Sequence, residues 1–171
     1  MPKYDPSMRH IKLTKHHAVK WKTIGDLGES LAIDVLTSSG FSRVENLNED
    51  HPNHEFGDIL GVRDGKRYVI SVKTRNKYEF RKNGQKVLNS RYKLGTKCYQ
   101  HSETVSRKLD AVPAFLAIPI EPETFSAYFG TLEQLHGNTG IPMSKKALSN
   151  YECLAFDTPH NAKYSEILNT Y

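Results

Sequence analysis

Apolar residues recur along this chain at two periods, one near 3.6 and one of 2, and the switches between them mark its elements. From Lys22 to Ser39, Ile24, Leu27, Gly28, Leu31 and Val35 share one face at helical spacing, and Ala32 and Leu36 widen it. Gly40 is placed to end that helix in the left-handed conformation, and Phe41 starts the return toward the core. Arg43–Leu47 reads as a short strand, and Asn48–His54 as a loop. Two short apolar runs of strand length follow, Ile59-Leu60-Val62 and Tyr68-Val69-Ile70-Val72. Asp64-Gly65 between them is a two-residue hairpin turn, because both positions accept a positive φ.

The pattern then weakens. Thr74–Thr96 is charged and without a clear period. Thr96–Leu109 fits a second helix through Cys98, His101, Val105 and Leu109, and Ala114–Ile120 is an unbroken apolar run of strand length, expected to be buried on both faces. Further strands are predicted at Phe125–Gly130 and Glu152–Phe156, with helical pieces at Lys145–Asn150 and after Ala162. The order α-β-β-β-α-β, with a less regular tail, makes this an α/β chain.

Composition narrows the partners. The 171 residues carry a net charge of +5, which favours an anionic partner, nucleic acid first and acidic lipid second. Residues 1–20 form a basic arm, and 21–171 fit a single domain. No apolar run is long enough to span a bilayer, and the N-terminus lacks the pattern of a secretory signal, so no membrane role is expected. Cys98 and Cys153 are isolated, which suits a reducing cytoplasm, and His10, His16 and His17 read as exposed tail residues rather than metal ligands. No nucleophile elbow, P-loop or dinucleotide-binding glycine pattern occurs.

Three ionisable residues are well placed for chemistry. Glu29 lies at the edge of the first helix's apolar stripe, and Asp58 opens the first hairpin strand. Lys73 is expected to end the second strand, on the same face as Ser71. The hairpin brings Asp58 and Lys73 together. Carboxylates beside a lysine suit metal-assisted phosphodiester hydrolysis, where oxygen ligands hold Mg²⁺ and an ammonium orients water.

Glu29 on an opening helix, Gly57-Asp58 before a strand and Ser71-Val72-Lys73 on the next resemble the PD-(D/E)XK nuclease superfamily over about residues 22–120. The resemblance implies a restriction endonuclease-like αβββαβ core, a mixed central sheet flanked by helices. It implies Asp58 and Glu29 as ligands of Mg²⁺ (or Mn²⁺), Lys73 as the group that helps activate water, and Ser71 at a position where the superfamily has an acid. A hydroxyl is a poor substitute for a carboxylate at a hard cation. Glu29 or Glu55 compensates, or the metal site is weak, or the fold is kept for binding only.

The segment from Lys73 to Lys108 points to nucleic acid independently of that resemblance. It holds eleven Lys and Arg against Glu79 and Glu103, more than the whole net charge. Arg75, Lys77, Arg81, Lys82, Lys86, Arg91 and Lys93 are the expected phosphate contacts. Tyr78, Phe80 and Tyr92 lie among them, where an aromatic ring either stacks on a base or packs into the core, and packing is favoured. The expected activity is a metal-dependent DNA endonuclease, with DNA placed ahead of RNA and a homodimer allowed. The alternative is a nuclease-fold module that binds nucleic acid without cutting it.

Overall fold

The computed structural model describes residues 15–49 and 56–160, with backbone only for 15–24 and Leu27. The arm residues 1–14, Glu55, the piece after Ala162 and the side chains of His16, His17, Ile24 and Leu27 lie outside that description. Helix α1 spans Lys15–Ser38, starting seven residues before the expected Lys22. The residues assigned to the arm from Lys15 onward therefore have helical backbone. Six strands build the main sheet: β1 (Ser42–Asn46), β2 (Ile59–Arg63), β3 (Lys66–Asn76), β7 (Val112–Ile120), β8 (Thr124–Thr131) and β10 (Glu152–Pro159). They lie side by side in that order. Only β3 and β7 run parallel, so the sheet is mixed, with α2 (Cys98–Leu109) on the crossover between them. The expected α-β-β-β-α-β order is present.

Local signals act as the residue types dictate. The helix ends with Phe41 N–H donating to Leu36 O at 3.0 Å and Gly40, at φ 89°, donating to Thr37 O at 3.3 Å, the paired bonds of a Schellman motif. At the hairpin tip Asp64 and Gly65 have φ of 52° and 75°, and Arg63 pairs with Lys66 across them. The apolar run of β7 is buried on both faces. Ala114, Leu116, Ile118 and Ile120 face the core under α1, while Phe115 and Ala117 face a second core against Val105 of α2.

Two ties set the shape. Gly28 lies against Thr74 of β3 so closely that a Cβ there would sit within 2.7 Å of Thr74 Cβ. At the far end of the sheet, Arg63 forks onto Glu152 with bonds of 2.8 and 2.6 Å, joining the second strand to the first residue of the sixth. Its guanidinium lies 4.5 Å from the Phe41 ring and 5.4 Å from Phe129, which shield the arginine side of the pair. A sheet whose second and sixth strands meet in this way is curled.

The charged stretch after Thr74 holds structure that its pattern hides. Strand β3 does not stop at Lys73; parallel pairing with β7 carries it on to Asn76. A separate hairpin, β4 (Tyr78–Phe80) with β5 (Lys86–Leu88), rises from its end, and β6 (Arg91–Lys93) pairs with β9 (Gly140–Pro142). A short helix, α3 (Lys145–Leu148), precedes β10. Among the described residues no helix is long and apolar enough to cross a membrane.

The Gly28 contact makes a test. Alanine normally gains about 1 kcal/mol over glycine in a helix. Here its methyl must displace buried Thr74, an overpacking cost of about 1–3 kcal/mol. Gly28→Ala is therefore expected to destabilise the fold, and Thr74→Ala in the same chain to restore most of the loss, as urea unfolding of the four variants of the cycle would measure.

Candidate active site

The site lies where the sheet changes partners. Strand β2 begins at Ile59, opposite Ile70, so beyond Ile70 one edge of β3 is left uncovered by β2 while β7 holds the other. An uncovered edge leaves backbone groups in need of partners. Here the Val72 N–H donates to Asp58 Oδ2 at 2.7 Å, and the carboxylate stands where a strand carbonyl would have been. Asp58 is itself pinned at both ends: its N–H donates to Ile70 O at 2.8 Å, and its carbonyl accepts from Leu47 N–H at 2.9 Å. The turn into β2 needs Gly57, at φ 93°, where a Cβ would lie 2.4 Å from Val69 Cγ2.

The second carboxylate arrives on α1. Glu29 follows Gly28, so the close approach to Thr74 delivers it to the same edge of β3. Its oxygens accept from Asn48 Nδ2 at 2.9 Å and from Asn46 Nδ2 at 3.4 Å. The same Asn48 amide donates to Asp58 Oδ1 at 3.0 Å, so one NH₂ group stands between two carboxylates. Asn46 fixes it in turn, because its Oδ1 accepts the Asn48 backbone N–H at 2.9 Å. Burial, and next the negative charge of Asp58, raise the Glu29 carboxyl above its ordinary value, while the two amides pull it down.

Lys73 and Ser71 share a face of β3, with Asp58 beside them, and the three line a cleft of 390 Å³ that reaches the start of α2. Lys73 also borders a second cleft, of 530 Å³, together with Glu29 and Arg75. The structure thus brings Asp58, Ser71 and Lys73 into one cleft and ties Glu29 to them through Asn48. Ser71, at the position expected to hold an acid, is 5% exposed, and its hydroxyl has no hydrogen bond among the described residues.

Among the described residues no three His, Cys, Asp or Glu side chains converge on a point. Asp58 and Glu29 are nevertheless hard oxygen donors, and Mg²⁺ keeps several waters while taking only one or two carboxylates. The pair fits such an ion. The Asn48 amide offsets their repulsion in the way a cation would, and neither Asn46 nor Asn48 was identifiable as a site residue from the sequence. Their Asn-x-Asn spacing reads as loop chemistry, since such side chains bond to backbone two residues away.

The seven expected phosphate contacts divide into groups. Arg81, Lys82 and Lys86 are exposed on the β4–β5 hairpin, where Lys86 lies 4.2 Å from the Tyr78 ring. Arg91 and Lys93 are exposed on β6, though Arg91 also donates to Asn138 and Thr139. Two are engaged within the protein. Lys77 pairs with Glu121 at 3.6 Å, and Arg75 donates to Thr74 O at 2.8 Å. Tyr92, between Arg91 and Lys93, is fully buried, as packing rather than base stacking requires.

No family model matches the chain, and no curated protein does. Among solved structures it is similar to Hjc, a Holliday junction resolvase from Archaeoglobus fulgidus, with a TM-score of 0.51 and 13% identity. The match covers 81% of this chain and 95% of that one, so the two share a fold over most of this chain and nearly all of that one.

The carboxylate pair yields a pH test in metal-free buffer. Because the Glu29 carboxyl is raised in the folded state, the native protein holds that proton more tightly than the unfolded chain does. Its contribution to stability therefore falls as pH rises from the ordinary 4.5 through the raised value. In EDTA, Glu29→Gln is expected to gain stability over wild type near neutral pH and to lose that advantage below 4.5. Urea unfolding across pH measures this; a difference that does not change with pH contradicts it.

Proposed function

From a chain that has the restriction endonuclease-like fold of the PD-(D/E)XK nucleases, we propose that this domain binds DNA and hydrolyses its phosphodiester bonds with Mg²⁺ at the uncovered edge of β3. The observation that carries this reading is the meeting of Asp58, Lys73 and Glu29 at one strand edge, with the exposed bases of a hairpin rooted at the end of the same strand.

Each residue has work to do. Asp58, fixed by the Val72 N–H, and Glu29, reached through Asn48, would hold the ion. When bound, the ion would neutralise charge on the phosphate and acidify a water. Lys73 lines the cleft, and its ammonium is suited to orient the attacking water and to offset charge growing on the phosphoryl oxygens. Arg81, Lys82 and Lys86 would follow the strand's phosphates away from the reacting bond. Cutting both strands of a duplex would use two such sites, as in a homodimer.

A binding-only module is the second reading, favoured by one observation. Ser71 supplies no carboxylate where the superfamily pattern places one, which leaves the ion two acids instead of three.

Incubation of purified protein with linear, nicked and four-way-branched DNA in Mg²⁺ or Mn²⁺ separates the readings. Cleavage is expected, with Asp58→Asn and Lys73→Met slower by about 10²-fold or more. Uncut DNA of every form, bound with unimpaired affinity, establishes the module instead. On the binding side, Arg81→Gln with Lys82→Gln and Lys86→Gln is expected to flatten the salt dependence of affinity, by up to about 0.9 of a log–log unit per lost phosphate contact on duplex. An unchanged slope in an anisotropy titration removes the hairpin from the interface.

A further inference from the structure

The cleft that holds Ser71 and Lys73 extends past the carboxylates, and its far wall is the beginning of α2, with Thr96, Lys97 and His101. That helix is twelve residues long and starts without compensation. Lys97 at its N-cap makes no side-chain capping bond, and the first turn holds no acid. The Cys98 N–H bonds to Gly95 O at 3.3 Å, so what this end of the helix brings to the cleft is the positive pole of its dipole, with no acid in the first turn to offset it. A second, independent feature points the same way. Ser71 on the opposite wall is 5% exposed, yet its hydroxyl finds no hydrogen-bond partner among the described residues. The strand keeps it aimed into a space that also receives the Lys73 ammonium.

Among the described residues, Asp58 is the one acid that lines the cleft. Both oxygens of Asp58 already accept hydrogen bonds, from Val72 N–H and from the Asn48 amide. Beside it, among the described residues, two lysines, a histidine and the Ser71 hydroxyl can donate into 390 Å³, and the positive pole of α2 faces the same space. That set matches a tetrahedral dianion or a phosphodiester oxygen pair.

We infer that the cleft between β3 and the start of α2 is a phosphate subsite, in which Ser71, Lys97 and the first turn of α2 hold a phosphate group next to the one at Asp58 and Glu29. The source of that phosphate, a nucleic-acid strand, rests on the function proposed above; the site itself does not. Under this assignment Ser71 is a phosphate donor where an acid would repel the strand. The hydroxyl at that position then has a use of its own.

The test needs neither metal nor cleavage. Thermal unfolding of the full chain is followed in EDTA with inorganic phosphate, against sodium chloride at equal ionic strength. Phosphate is expected to raise the wild-type Tm saturably, by about 3–5 °C at tenfold excess over Kd, and Ser71→Ala and Lys97→Gln to lose most of that shift. A wild type that responds to phosphate no more than to chloride overturns the inference, and so do variants that keep the full shift. Single-stranded oligonucleotides with and without a 5′-phosphate then identify the source. Lys97→Gln weakens both equally if the subsite takes a backbone phosphate, and only the phosphorylated one if it takes a strand end. A phosphate shift without any binding of nucleic acid would keep the subsite and sink the proposed function, so the two can fail separately.

Discussion

Everything at this site depends on how closely α1 can approach β3. Helix and strand meet at Gly28 and Thr74, at a separation that no side chain on the helix would permit. The next helical residue is Glu29. Had the helix stood off by the width of a methyl group, its carboxylate would not share the Asn48 amide with Asp58. A packing constraint with no chemistry of its own thereby sets the distance between two acids.

The sheet imposes the complementary constraint. β3 is held from Tyr68 to Asn76 by its parallel partner β7, so it continues as a paired strand after β2 has left it. One edge of a well-ordered strand is then open, and an open edge offers fixed backbone groups together with side chains that alternate predictably. Asp58 uses a backbone group, the Val72 N–H, while Ser71 and Lys73 supply the side chains. The fork of Arg63 onto Glu152 keeps the curled sheet together at its other end, away from this opening. Rigidity and access thus come from different parts of one sheet, and the flanking hairpin can carry charge without disturbing either.

Much of this was legible in the sequence because strong local signals agreed with the final fold. Gly40 stops the helix, Asp64-Gly65 turns the hairpin, and the apolar run from Ala114 is buried on both sides. Glu29, Asp58 and Lys73 could be singled out because a helix, a hairpin and a strand fixed their relative places. The strands between Tyr78 and Lys93 were not legible. They are three residues long, and two of them pair with each other and the third with a segment some fifty residues away. Pairing of that kind leaves too few alternations to register as a period. Asn48 was missed for a different reason: an asparagine in a polar loop carries no pattern, and its role exists only once two carboxylates have been brought to either side of it.

Under the function proposed above, a divalent cation binds at Asp58 and Glu29, beside the Asn48 amide that both carboxylates share. Manganese reports its own position, because it broadens the NMR signals of nearby protons. In ¹⁵N-labelled protein, substoichiometric Mn²⁺ is expected to erase the Asn48 side-chain amide and the Val72 backbone amide first, and Asp58→Asn is expected to protect both. If those signals survive while others vanish, or if all fade evenly, the carboxylate pair is not a metal site.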